Sequence, residues 1–385
     1  MTLTPPSPTR PPLTLPAVAS TALAVLSSHV FPAETNMLAF PLTLALIAIF
    51  GVPHGAADHL VHAWRHLPTG RKGGDAKFFA GYIALVVAHA TLWYLCPPAA
   101  FALFLCMAVW HFGQGEYEYL GGRSPLVYYG CAATCTLDAW VVYVSRGIMI
   151  LSLLTFAQPS LTFPVIQAVT TLDTKWIPDP SAPSTLAACR IAVTAGVAQH
   201  VLLLSYLLGH STRPTAFLRD HVPKLVALAL LYTHVNAYLA FGIYFGLWHA
   251  LEFFLSVKSS LALTTRGMIA WAVVPLSLPV LGAMLVMGMY WDQVGMASEV
   301  AYWRAFLVVV SSVTTPHVVY LEGFVRVRMA GGSKEPNKQM RPQRERNEVE
   351  IIKSAVVNSC ENSRKAPVVS QLAKSPTVAC VGKSR

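Results

Sequence analysis

The stretch that decides the fold is residues 37–59, MLAFPLTLALIAIFGVPHGAADH. Residues 37–53 carry no charged side chain and are long enough to cross the roughly 30 Å hydrocarbon core of a bilayer as a helix. The imidazoles of His54 and His59 and the carboxylate of Asp58 follow at its end. Because ionisable groups at membrane depth are costly, they usually mark a site. The stretch therefore predicts a transmembrane helix that ends in a functional site.

The composition of the whole chain is that of a membrane protein. Apolar residues make up 54% of the 385 residues and charged residues only 12%, which is outside the range of ordinary soluble domains. Apolar stretches of spanning length recur, so we predict an all-α polytopic transmembrane helical bundle with about eight spans. The alternating pattern of a membrane barrel is missing from the sequence. The predicted spans are residues 15–31, 37–53, 78–96, 98–115, 125–156, 187–209, 226–257, 268–290 and 301–321, of which the first is weak and 125–156 fits one helix or two.

Two terminal segments flank the predicted membrane domain, which covers residues 15–325. Residues 1–14 are rich in proline, and we predict a disordered leader. Residues 326–385 carry thirteen Lys and Arg but five Asp and Glu, which predicts a disordered basic tail. The positive-inside tendency assigns this tail to the cytosolic or stromal side, with membrane lipid headgroups as its partner. It has no interleaved aromatic residues for base stacking, so we expect no nucleic-acid partner.

Four histidines lie in similar apolar contexts on four predicted helices. They are His54, His111, His249 and His317, each flanked by small or aromatic residues. A single membrane histidine is more often a hydrogen-bonded packing residue than a ligand. Neutral imidazoles that converge from neighbouring helices are good ligands for iron, copper or zinc. Packing and a metal site are therefore the two alternatives for this set.

The residues after His54 offer a partner for its ring. If the helix continues, Asp58 lies one turn further on the same face, and we expect its carboxylate to orient the imidazole of His54. The alternative is a helix cap with an ion pair to Arg65.

Five short motifs occur in a fixed order along the chain. They are Pro53-His54-Gly55-Ala56-Ala57-Asp58-His59, Trp110-His111-Phe112-Gly113, Arg146-Gly147, Tyr244-Phe245-x-x-Trp248-His249 and Thr315-Pro316-His317. Together they resemble the Brp/Blh family of β-carotene 15,15′-dioxygenases over about residues 40–325. The resemblance implies a multi-span membrane enzyme that splits the central double bond of β-carotene with O2, giving two molecules of all-trans retinal, at a non-haem Fe(II). It implies His54, His111 and His249 as iron ligands.

The chain departs from this family pattern at one position. In the family a second histidine follows the third ligand by four residues, and here that residue is Phe253, which cannot donate a lone pair. Three histidines can hold iron with positions open for O2, and His317, His59 or a water is expected to fill the vacant place. The departure keeps open a divergent carotenoid- or retinal-binding membrane protein that does not cut its ligand. A metal-dependent membrane enzyme that acts on another polyene or lipid is a third possibility.

The substrate implied by the resemblance, β-carotene or a related carotenoid, has no polar group by which it can be aligned. The shape and length of a tunnel must therefore select the bond. The aromatic residues near the histidines are the candidates for its lining, with helix packing as the alternative for each: Trp110, Phe112, Tyr244, Phe245, Trp248 and Phe253. Because the metal and O2 carry the chemistry, we expect no catalytic side chain beyond the metal ligands. The expected location is a plasma or organelle membrane, as an integral multi-pass protein.

Overall fold

The computed structural model of the chain describes residues 14–59, 62, 75–115, 125–131, 137–172, 176–255, 274–296 and 298–331. Regular structure within these residues is helical and includes no strand, so the protein is an all-α polytopic bundle. The helices are α1 (Thr14–Val30), α2 (Pro32–Gly55), α3 (Asp75–Leu95), α4 (Pro97–Gly115), the single turn α5 (Pro125–Tyr128), α6 (Ala139–Phe156), α7 (Pro159–Thr170), α8 (Pro183–His210), α9 (Pro214–His234), α10 (Ala237–Leu255), α11 (Val274–Gln293) and α12 (Ser298–Gly331).

Six helices in the described part of the chain are long and apolar enough to cross a membrane. They are α2, α3 from Ala76 onward, α4, α6, α8 and α10. The weak first span corresponds to α1, which is apolar but shorter. The last two predicted spans correspond to α11, with 20 residues, and α12, with 34 residues. The composition and these helices identify a membrane protein.

Two of the predicted spans have different boundaries in the structure. The stretch 125–156 contains one long helix, because α6 begins only after Asp138, whose backbone is extended. The stretch 226–257, predicted as a single span, is divided between α9 and α10. Asn236 ends the run by capping α10, since its side-chain oxygen accepts a hydrogen bond from the backbone N–H of Tyr238 at 3.0 Å. One polar residue in an apolar run hardly changes its hydropathy, yet it breaks the helix.

The terminal segments lie mostly outside the described residues. Of the predicted leader, only Thr14 is described, and it begins α1. At the other end α12 continues to Gly331, past Arg326, where the predicted tail begins. Residues 332–385 of that tail lie outside the described residues.

Close helix contacts hold the central part of the bundle together, and the tightest joins α4 to α6. A Cβ atom on Gly113 would meet the backbone carbonyl of Tyr143, and one on Gly147 would meet the backbone carbonyl of Val109. The two glycines thus let the two helix backbones touch at reciprocal points. α8 also packs against α6, and α12 packs against both α3 and α11. The contact between α4 and α6 sets the position, along the helix axis, of the residues that precede Gly113 on α4.

Among the described residues, two helical segments depart from α-helical winding, and both face the middle of the bundle. Ile47–Gly51 in α2 and Ile243–Ala250 in α10 are π-helical, and the two segments contact each other. A π-turn adds a residue to the turn and so rotates the side chains that follow, which is why such turns often occur at functional sites. Here they determine the direction of the residues at the ends of α2 and α10.

A buried ion pair joins α9 to α10. The Lys224 Nζ atom lies 3.3 Å from Oε1 of Glu252, and the two side chains are only 13% and 3% exposed. A buried carboxylate is tolerable only when it is paired. The pair therefore fixes which side of α10 faces α9 and which side faces the bundle interior.

Candidate metal centre

Three histidines from three helices converge in the bundle interior. They are His54 at the end of α2, His111 near the end of α4 and His249 in the π-helical part of α10. One ring nitrogen from each lies within 4.8 Å of those from the other two. The residues are 7%, 3% and 3% exposed, so the group is closed to solvent. Residues separated by up to 195 positions in the sequence thus form one compact set of nitrogen donors.

The backbone around the three rings explains their convergence. The π-turn of α2 lies shortly before His54, and the π-turn of α10 contains His249. Gly115 leaves room for His249, since a Cβ atom there would lie 2.9 Å from its Cε1 atom and 3.0 Å from its Nδ1 atom. Phe245 stacks over the His249 ring at a centroid distance of 6.0 Å and meets the His54 ring edge-on at 5.4 Å. Close backbone packing and one aromatic neighbour therefore determine the positions of the rings.

The hydrogen bonds of the His54 ring leave one of its nitrogens available for a ligand. The Nδ1–H of His54 donates to the Gly51 carbonyl, and its Nε2 atom has no hydrogen-bond partner among the described residues. A backbone hydrogen bond at one ring nitrogen is the usual device that presents the other to a metal. The Nε2 atoms of His111 and His249 face each other at 2.9 Å. Such a set is suited to a borderline metal ion such as Fe(II), Cu(II) or Zn(II).

A fourth imidazole, that of His317 on α12, lies against this group. Its ring centroid is 4.9 Å from that of His54 and 4.8 Å from that of His111. Its Nδ1–H donates to Oδ1 of Asp58 at 2.7 Å, and the Tyr82 hydroxyl donates to Oδ2 of the same carboxylate at 3.0 Å. The expectation that Asp58 orients His54 is therefore wrong. The helix stops at Gly55 and a turn follows, so the carboxylate reaches across to α12 instead.

The other candidate for the vacant place, His59, does not join the group. Its Nδ1–H donates to the Ala56 carbonyl at 2.9 Å, and its ring contacts Phe79 on α3. The same turn that separates Asp58 from His54 carries His59 away from the three histidines.

Phe253 occupies the place next to the three histidines. Its ring centroid is 5.7 Å from that of His54 and 5.6 Å from that of His317, and both contacts are edge-to-face. Residue 253 thus faces the candidate metal centre, as its spacing from His249 predicts, but it presents an apolar ring. Glu252 points elsewhere, into the ion pair with Lys224.

An apolar cleft opens beside the centre, and the space inside it, together with the solvent space at its mouth, is about 720 Å³. Its walls come from α4, α6, α7, α10 and α12, and include Phe104, Leu154, Val165, Phe241 and Phe306. One of the lining residues, Phe112, contacts the histidines, since its ring centroid lies 5.1 Å from that of His249.

The predicted tunnel residues therefore have different positions. Phe112 lines the cleft, and Phe245 stacks on its wall residue Phe241 at 5.4 Å. Trp110 packs instead against Tyr143 in the neighbouring part of the core. Tyr244 and Trp248 are fully buried, and the Trp248 indole N–H donates to the Ala17 carbonyl on α1 at 3.0 Å. Helix packing, the alternative for each aromatic residue, describes Trp110, Tyr244 and Trp248.

Sequence reasoning missed three features of the centre. Tyr82 and Gly115 have no distinctive spacing from the histidines, and only the folded chain brings them there. The cleft walls on α7 and α12 consist of ordinary aliphatic and aromatic span residues. Bulky side chains on the inward faces of predicted spans are the only signal that the sequence offers for them.

Comparison with known proteins identifies a family that the chain matches. The sequence model of the family described as beta-carotene 15,15'-dioxygenase matches residues 45–324, which include all four histidines of the centre and its surroundings. No curated protein and no solved structure matches the chain.

Proposed function

Since this chain belongs to the beta-carotene 15,15'-dioxygenase family, we propose that it cleaves β-carotene at its central double bond with O2, at an Fe(II) ion held by His54, His111 and His249. The C=C bond breaks, one oxygen atom goes to each half, and two molecules of all-trans retinal result. The proposed location is an integral multi-pass protein of a plasma or organelle membrane, with lipid around the six apolar spans.

One observation carries the proposal: three buried imidazoles converge from three helices beside an apolar cleft. The donor set fits iron, because His54 presents a buried Nε2 atom without a partner and two further Nε2 atoms face each other. Neutral nitrogen donors without a protein carboxylate among them leave positions for other ligands. Bound there, Fe(II) would supply the redox chemistry with O2 that side chains lack.

The side chains of the chain would position and protect the reacting polyene. The cleft is apolar, so it would accept a hydrocarbon and exclude water from the centre. Phe112 lines the cleft and contacts His249, so its ring would lie between the substrate and this ligand. With no polar handle on β-carotene, contacts with wall residues such as Phe241 and Phe306 would fix its register.

A second candidate is a carotenoid- or retinal-binding protein that does not cut its ligand. The observation in its favour is Phe253, which presents an apolar ring to His54 where an imidazole would offer a nitrogen. A binding protein of this kind would hold the ligand in the cleft, but no cleavage would take place at the three histidines. A metal-dependent enzyme that cleaves another polyene differs from both in its product.

The proposal is tested by expressing the full chain in cells that accumulate β-carotene and measuring retinal by chromatography. We expect retinal from the wild-type chain and none from His111→Ala. His234→Ala is the matched control, since His234 is exposed at the end of α9 and lies outside the centre. Phe253→His shows whether an added imidazole raises the yield.

The outcomes separate the three functions. If purified protein supplied with Fe(II) and O2 binds β-carotene but leaves it intact, the dioxygenase proposal is wrong and the binding function is favoured. Retinal from Phe253→His but not from the wild type leads to the same conclusion. Cleavage of other polyenes with β-carotene left untouched would identify the third function.

A further inference from the structure

We infer that His317 is a fourth ligand of the metal and that Asp58 is the residue that positions it, an inference that rests on the proposed function. The first support is the distance between the rings. Among His54, His111 and His249 the ring centroids are 4.6, 5.3 and 6.2 Å apart. His317 lies 4.8 and 4.9 Å from two of them, within the range that the three show among themselves.

The second support is the hydrogen bond to Asp58. Because the Nδ1–H of His317 donates to this carboxylate, the lone pair of the ring lies on its Nε2 atom. A carboxylate behind a histidine is the usual arrangement at metal sites, where it orients the ring and makes it a stronger donor. The ring and the carboxylate are both buried, with side chains 3% and 6% exposed. A carboxylate in such a place is rare among membrane helices unless it serves a site.

The third support is the hydrogen bond that Tyr82 adds. Its hydroxyl donates to Oδ2 of Asp58, so the carboxylate is held from α3 while it holds His317 on α12. The segment after α2, together with α3 and α12, thus fixes the orientation of one imidazole. The nitrogens of His317 stand outside the 4.8 Å group of the other three. Metal binding would therefore draw its ring toward the centre, with the hydrogen bond to Asp58 as the pivot.

A purely structural role is the competing explanation. In that case the Asp58–His317 hydrogen bond only ties α12 to the end of α2, and the metal has three protein ligands. The two roles differ in the properties of the bound metal. A ligand changes the coordination geometry and the affinity, whereas a tie between helices changes stability alone.

The test uses the purified full chain loaded with Co(II), whose visible absorption reports coordination number and geometry. Affinity is measured by competition with a chelator, in wild type, His317→Ala, Asp58→Asn and the control His234→Ala. Loss of an orienting partner typically weakens metal binding by about 10–100-fold, which is the change expected for Asp58→Asn. For His317→Ala we expect at least that loss, together with a changed Co(II) spectrum.

A double variant makes the assignment specific. The Phe253 ring contacts both His54 and His317, so an imidazole at 253 can reach the space that His317→Ala vacates. We expect Phe253→His to restore Co(II) affinity in the His317→Ala background. If His317 only linked α12 to α2, an imidazole at position 253 on α10 would not restore the Co(II) affinity.

The outcomes keep this inference apart from the proposed function. If the wild type binds Co(II) and produces retinal, while His317→Ala keeps the wild-type affinity and spectrum, the inference is overturned and the function stands. If the wild type binds no metal, the proposed function fails and the inference fails with it. If His317→Ala does not fold, Asp58→Asn decides, because it retains the imidazole. Unchanged affinity and spectrum in Asp58→Asn would overturn the inference.

Discussion

The ion pair between Lys224 and Glu252 leads to a prediction about the position of His249. Glu252 lies three residues after His249 on α10, and Lys224 holds it from α9 at 3.3 Å. We predict that Lys224→Met destabilises the protein and lowers its metal content, because the buried carboxylate of Glu252 then loses the cation that lies 3.3 Å away. A shift of α10 that brings this carboxylate closer to water would move His249 as well.

The magnitude follows from the distance and the burial. At an effective dielectric constant of about 20, two unit charges at this distance attract each other by about 5 kcal/mol. Removing one member of a buried pair costs about 3–5 kcal/mol, whereas replacing both by neutral groups is often close to neutral. We therefore expect the free energy of unfolding to fall by about 3–5 kcal/mol in Lys224→Met and to recover most of this in Lys224→Met combined with Glu252→Gln.

The assay is equilibrium unfolding of the purified protein in mixed detergent micelles, with bound metal measured on the same samples. The double variant is the control for lost packing, because it lacks the lysine stem as well. If the double variant is as unstable as Lys224→Met, the loss comes from packing and the electrostatic argument is wrong. If Lys224→Met has wild-type stability, the ion pair does not stabilise the protein and the prediction is wrong.

Three further predictions concern close contacts at the centre. Gly115→Ala should displace the His249 ring and lower both iron content and retinal yield, whereas Gly209→Ala, where an added Cβ meets nothing within 4 Å, should change neither. Gly147→Ala should push α6 away from α4 and lower the free energy of unfolding by about 1–3 kcal/mol, measured against the same glycine control. Phe112→Trp should place a larger ring between the cleft and His249, so retinal formation should fall while iron stoichiometry stays at the wild-type value.

Much of the centre could be predicted from residue type and hydropathy. A histidine inside an apolar span needs a partner, and in a sequence with few charges the other span histidines are the main candidates. The structure brings His54, His111 and His249 together from three helices, as the motifs predict. Residue 253 also faces the centre, where its ring contacts that of His54.

Other features depend on the backbone and were not predictable from periodicity. The break at Asn236 and the end of α2 at Gly55 are each decided by one local conformation within an apolar or small-residue stretch. The consequence is largest for Asp58, since the turn after Gly55 directs it to a residue more than 250 positions later. The π-turns act in the same way, because they rotate side chains without leaving a pattern in the sequence.

Phe253 illustrates why spacing along a helix is a poor test of whether a metal site survives. A pair at i and i+4 places two donors on one helical face, so the sequence shows the substitution at 253 as a loss. A metal, however, is bound by donors assembled across helices, and any helix that faces the centre can supply one. The rings of Phe253 and His317 both pack edge-on against His54 and against each other, so they share the same side of the centre. The Phe253 ring therefore packs beside the imidazole of His317. On our inference, the substitution at 253 and the Asp58–His317 pair belong to one arrangement, in which α12 supplies the donor that α10 lacks.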